Sequence, residues 1–260
     1  LQDRRHRRHA AEVEVRAQGL LGVELSHPSM SRSVALFTFG LLLLASVAFW
    51  PMYLSKDWSA IDRYTHAHAL LGTLWLVILI SQPVLVLRGH RRAHRIAGRV
   101  SLFVALGFVL SSLLLTHFRV SRMNEAEFAK EGIYTYLPLS VAFLFAAACV
   151  LGFRWRTSTP VHARFMLSTA LLLLDPVLAR IMFFYLPHLP SDDLYQGITF
   201  TLIAAVMVFL VKSLPPLTPG RTWYRNYCLG AAATLALFFA VPYTDGWLAF
   251  INWFRALSLT

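Results

Sequence analysis

Histidines stand at both ends of the apolar stretch between Tyr64 and Ser101. His66 and His68 open it, and His90 and His94 close it among Arg88, Arg91, Arg92, Arg95 and Arg99. Neutral imidazoles on neighbouring helices at one depth are what a bis-histidine haem b or a transition-metal site requires. Further along, His117 and His188 fall at the same end as His66 and His68, and His162 falls with His90 and His94. The pairs that could share a cofactor are therefore His68 with His117 and His94 with His162, with Arg99 and Arg180 placed to neutralise its anionic groups. Spacing weighs against this chemistry. His94 and His117 are 23 residues apart, about 34 Å of helix, which exceeds a hydrocarbon core of about 30 Å. Both rings are then expected in the headgroup zone. His66 and His68, two residues apart, do not share a helical face.

A second set of residues suggests different chemistry. Gln82, Asp175 and Arg180 are the costly side chains inside otherwise apolar runs. A charge at that depth costs several kcal/mol unless it meets a partner or a wet cavity, so all three are expected to face the interior of a bundle. Pro83 and Pro176 follow Gln82 and Asp175 directly, each removing one helix hydrogen bond beside a polar side chain. Asp175 and Arg180 are five apart and do not share a helical face, so a clean pair within one helix is not expected. These three residues are candidates to line a polar ligand-binding cavity. The cluster His90, Arg91, Arg92, His94, Arg95 and Arg99, with His162 and Arg164, could hold a lipid headgroup, a phosphate or a haem propionate. Gly98 is read as permitting close packing. No HExxH, GxSxG, Walker or Rossmann pattern is present, and no lysine lies mid-helix in the last span to form a retinal Schiff base.

Those residues must be positioned by membrane helices. With 260 residues, 57% hydrophobic content and a mean hydropathy of +0.57, the chain is too apolar for a water-soluble domain. The sequence predicts an all-α polytopic bundle of seven spans: 34–54, 66–88, 95–117, 134–153, 161–186, 198–214 and 227–241. The net charge of +11 sits at the N-terminus and in alternate short connections, which sets orientation and does not suggest nucleic acid. Membrane lipids are the expected partners, and the N-terminus is expected on the cytoplasmic side. Residues 1–33 form a polar basic arm, and Met30 would make a natural start, so residues 1–29 are read as an upstream extension; residues 34–260 form the transmembrane domain. Trp58, Tyr134, Tyr136, Tyr185 and Trp247 are expected at the outer boundary, and Trp155, Trp223 and Tyr224 at the inner one. After Pro242, GWLAFINWFR is too short to cross and is placed as an interfacial helix. Cys149 and Cys228 imply no disulfide framework or metal motif.

The pattern H-x-x-x-G (His68 to Gly72), Gln82, H-R-x-x-G-R (His94 to Arg99), H-x-R-x-M (His162 to Met166) and Arg180 resembles a family of uncharacterised bacterial multi-pass membrane proteins, known as a domain of unknown function. The resemblance covers about residues 60–185 and implies a plasma-membrane helical bundle with no established activity. A looser likeness, to cytochrome b561 and ferric-reductase type proteins, rests on histidines at both ends of paired helices; here those histidines lie at the helix ends instead of a turn or two inside.

Overall fold

A computed structural model describes residues 31–186 and 192–260; the basic arm, the proposed start at Met30 and His188 lie outside them. Among the described residues, seven helices are long and apolar enough to cross a membrane, and the chain is an all-α multi-pass membrane protein. Helix α1 (Ser31–Leu54) ends in a π-helical turn, Trp50–Leu54. It is followed by α2 (Arg63–Leu87) and α3 (Arg91–Val120), then a fourth span from α4 (Glu125–Glu131) through a 3-10 turn into α5 (Tyr136–Arg154). The fifth span is α6 (Thr159–Leu172) and α7 (Leu174–Tyr185), and α8 (Asp192–Lys212) and α9 (Arg221–Ala236) supply the last two. The short α10 (Asp245–Arg255) follows. Successive spans alternate in direction. The end bearing His90–Arg99, Arg154–Arg164 and Lys212–Arg225 is called the basic face, and the other end the far face.

Helices α2 and α3 form a tight hairpin. Gly89 makes the turn with φ +75°, a conformation that a β-carbon disfavours. Higher up, a β-carbon on Gly72 would lie 3.0 Å from the Phe108 ring, so its absence lets the two helices close. His68 stacks on that same Phe108 ring at 4.7 Å. An aromatic column then runs inward, Phe108 to Phe145 at 5.0 Å and Phe145 to Trp75 at 5.1 Å, tying α2 and α3 to α5.

Several local features differ from the sequence reading. The connection expected at Asn124–Glu131 is helical, started by a capping box between Asn124 and Glu127. Near the hydrogen bond lost at Pro176, the helix is interrupted for one residue at Leu173, whose backbone stays in the right-handed helical region. Pro176 thereby falls in the first turn of α7, where its missing N–H has no intrahelical acceptor to lose. Tyr136 and Tyr224 are core residues instead of boundary residues. The Tyr136 hydroxyl donates to Thr234 O at 2.8 Å, and the Tyr224 hydroxyl, on a 0% exposed residue, meets Ser168 Oγ at 3.1 Å. Both rings bury their area without stranding the phenol. Helix α10 packs across the far ends of α3 and α4 through Ile251 and Phe254 against Val120 and Phe128. Cys149 and Cys228 are both free and buried.

Candidate functional site

Three polar residues of α2 lie on one face because they are seven apart, about 20° short of two full turns. His68 is near the far face, Trp75 at mid-depth and Gln82 near the basic face, and each reaches a different neighbour. His68 Nδ1 meets Ser111 Oγ at 3.2 Å. Trp75 Nε1 donates to Thr169 Oγ1 of α6 at 3.0 Å. The Gln82 carboxamide, with its nitrogen toward α3, donates to His94 Nδ1 and to His94 O at 3.3 Å and accepts from the Gly98 N–H at 3.2 Å. The close packing expected at Gly98 is not found: a β-carbon there would meet nothing within 4 Å.

The polar residues thus fall into two sites instead of the single cavity of Gln82, Asp175 and Arg180 that the sequence suggested. The basic-face site contains Gln82, His94 and His162. His162 Nδ1 lies 2.8 Å from Gly152 O. A carbonyl only accepts, so Nδ1 carries the proton in the neutral ring and Nε2 keeps its lone pair. His94 and His162 interact electrostatically through space. Arg99, like Arg95, is exposed on the basic face outside this interior site.

The far-face site contains His68, Asp175 and Arg180. The Ser111 hydroxyl donates its proton to Phe108 O at 2.9 Å, so it accepts from His68 Nδ1–H, and His68 Nε2 is left as a lone pair. Arg180 donates through NH1 to Pro176 O at 2.7 Å and through Nε to Met52 Sδ at 3.1 Å, and its guanidinium lies 4.5 Å from the centre of the Phe49 ring. Phe49 and Met52 belong to α1, and Met52 sits in its π-helical turn, an uncommon geometry often found beside functional groups. Asp175 is 5% exposed, in the first turn of α7, where the positive end of the helix dipole favours a carboxylate. Its Oδ1 is buried without a hydrogen-bond partner. Asp175 and Arg180 interact through space, as do Arg180 and His68. Even so, the ion pair found among the described residues is Arg255 with Glu125, at 3.2 Å, and not this one.

His117 is not brought to His68. It is 1% exposed, and both ring nitrogens are engaged by the C-terminal segment: Nε2 with Leu257 O at 2.8 Å and Nδ1 with Thr260 Oγ1 at 2.7 Å. The expected headgroup placement of His117 is thus replaced by enclosure under residues 257–260. A haem held by His68 and His117 would require His117 to give up one of those bonds. Among the described residues, no three His, Cys, Asp or Glu side chains are grouped to hold a metal ion.

Two functional residues escaped the sequence reading. Trp75 had a signal in its seven-residue spacing from His68 and Gln82. Arg164 was grouped with the basic cluster, but it is 7% exposed and turned inward. Its Nε donates to Leu210 O at 3.0 Å, NH2 to Ser213 Oγ at 2.8 Å, and NH1 to Pro160 O at 3.0 Å. It therefore caps the C-terminal end of α8, where a cation meets unsatisfied carbonyls and the negative end of the dipole. Nothing in the local sequence of Arg164 announces a partner nearly fifty residues away. No protein-family model, curated protein or solved structure matches this chain.

Proposed function

We propose that this membrane protein binds a small polar molecule or lipid-derived group in the far-face site and passes it along the bundle, as a transport-type protein. One observation carries this reading: the buried Asp175 Oδ1 without a partner, close to an Arg180 that is not bonded to it. A bundle serving only as scaffold gains stability by closing such a pair or replacing it with apolar side chains. The polar face of α2, with His68, Trp75 and Gln82 at three depths, offers the bound group further contacts toward the basic face. The positive-inside distribution supports a cytoplasmic N-terminus, the motif resemblance supports a bacterial plasma membrane, and the exposed His90, Arg91, Arg92, Arg95 and Arg99 are suited to anionic lipid headgroups.

The test is to purify the protein in mild detergent, extract it with organic solvent and compare the released small molecules by mass spectrometry with those from Arg180→Gln. A compound enriched in wild type and lost from the variant supports the reading. Identical extracts count against it.

A second reading, a haem or metal centre at the basic face, is favoured by His162. Its Nδ1–H is held by a backbone carbonyl and its Nε2 is open, the arrangement that commonly orients a ligating imidazole. A visible spectrum and metal analysis of the purified protein test it: an absorption band or bound metal lost in His162→Ala supports it, and a colourless, metal-free protein removes it.

A further inference from the structure

We infer that the far-face site takes a small zwitterion, an ammonium carboxylate of amino-acid type, with its carboxylate on Arg180 and its ammonium on Asp175. This rests on the binding reading above and adds the chemical class. Arg180 directs a fork of donors at a carbonyl and a thioether, both neutral and the thioether weak. A guanidinium below the bilayer surface favours an anion in two-point contact. Asp175 Oδ1 is an acceptor with nothing donating to it.

These opposite charges are five residues apart on one helix, about 140° around its axis. Arg180 is turned back onto Pro176 O and across to Met52, away from a direct bond to Asp175. Held apart in a low-dielectric interior, the two charges attract each other strongly, and a group placed between them must answer both. A simple anion would satisfy Arg180 and be repelled by Asp175. A simple cation would do the reverse. A neutral polyol would leave both charges without a counter-ion. The Phe49 ring beside the Arg180 guanidinium suits the short carbon chain between the two charged ends.

The experiment uses the full chain in detergent and follows thermal unfolding with a ladder of probes: L-alanine, 4-aminobutyrate and 6-aminohexanoate. Sodium acetate and ethylammonium chloride, singly and together, supply the same charges unlinked. The expected result is that one member of the ladder raises Tm by about 5 °C at roughly a hundredfold excess over its Kd. The unlinked ions should do no more than their salt effect. Asp175→Asn and Arg180→Gln, each checked for a monodisperse elution profile, should abolish the rise. The comparison of linked with unlinked charges is made on the wild-type protein, so it stands even where a variant does not fold. Acetate alone matching the best amino acid overturns the zwitterion and leaves the broader binding reading intact. No shift with any probe also overturns the zwitterion; the broader reading falls only when the extracted wild-type and Arg180→Gln molecules are identical as well.

Discussion

Gln82 and His94 interlock across the α2–α3 hairpin. The carboxamide nitrogen of Gln82 donates to the imidazole and the carbonyl of His94, while its oxygen takes the N–H of Gly98 one turn on. A single side chain thus enters the hydrogen-bond ladder of the neighbouring helix. Such interhelical bonds in membranes contribute on average about 0.6 kcal/mol and at most about 1.7 kcal/mol.

Gln82→Leu is accordingly expected to lower stability by about 1 kcal/mol, seen as a fall of about 2–4 °C in Tm for a chain of this size. Combined with His94→Ala the losses should be less than additive, because each variant removes the same contact. Strict additivity in thermal unfolding would show that the two side chains do not interact.

The number of crossings was readable because membrane thickness sets the length of an apolar run, and the seven spans obey it. The inward placement of Gln82, Asp175 and Arg180 was readable for a related reason: hydrocarbon penalises polar side chains that face it. Which histidine meets which group was not readable. His117 is satisfied by Leu257 and Thr260, about 140 residues away, and His66 by Tyr53 and Trp58 O. Those choices depend on how helix ends dock, which leaves no periodic trace. The helical form of Asn124–Glu131 was an avoidable miss, since Asn124 and Glu127 stand at capping-box spacing.

Arg164 joins the fifth and sixth spans through the carbonyl of Leu210 and the hydroxyl of Ser213. Arg164→Leu removes the cation and leaves buried acceptors unpaired, each costing about 1–3 kcal/mol. The expected loss is about 3 kcal/mol, close to what a membrane bundle of marginal stability tolerates. Arg164→Lys keeps the charge but not the fork, so its thermal midpoint should fall between wild type and the leucine variant. Equal midpoints for all three proteins would mean that α8 needs no cap.

Asp62 caps α2 on the far face, accepting from the Thr65 N–H and hydroxyl at 2.8 Å each. Burial pushes its carboxyl up, but the bonds from Thr65 and Tyr64 and the charge of Arg119 outweigh it, and the pKa is lowered overall. A carboxyl whose folded pKa lies below its unfolded value stabilises the fold above the unfolded pKa, about 3.9. That contribution disappears as pH falls through the lower folded value. Wild-type Tm should therefore drop between about pH 4 and the acid limit of the detergent, and the drop should be shallower in Asp62→Asn. Asp57 is lowered in the same direction by the Ser59 N–H and hydroxyl, so part of the slope should persist in that variant. An unchanged slope in Asp62→Asn would remove Asp62 as a source of acid sensitivity.

The enclosure of His117 makes it a clasp for the residues after α10. Its Nε2–H donates to Leu257 O, and its Nδ1 accepts from the Thr260 hydroxyl, while Phe254 packs edge-on against the ring at 5.3 Å. His117→Phe preserves an aromatic partner for Phe254 and deletes both hydrogen bonds, separating the clasp from the packing. Each bond is worth about 1 kcal/mol net, so losing both should make local opening of residues 256–260 about thirtyfold more frequent. Hydrogen–deuterium exchange read by mass spectrometry on C-terminal peptides measures this directly. Peptides from α3 should keep wild-type protection, because Val120 and Ile251 still pack together beneath the clasp. Unchanged exchange after Arg255 would mean that the ion pair of Arg255 with Glu125 and the apolar face of α10 hold the segment without His117.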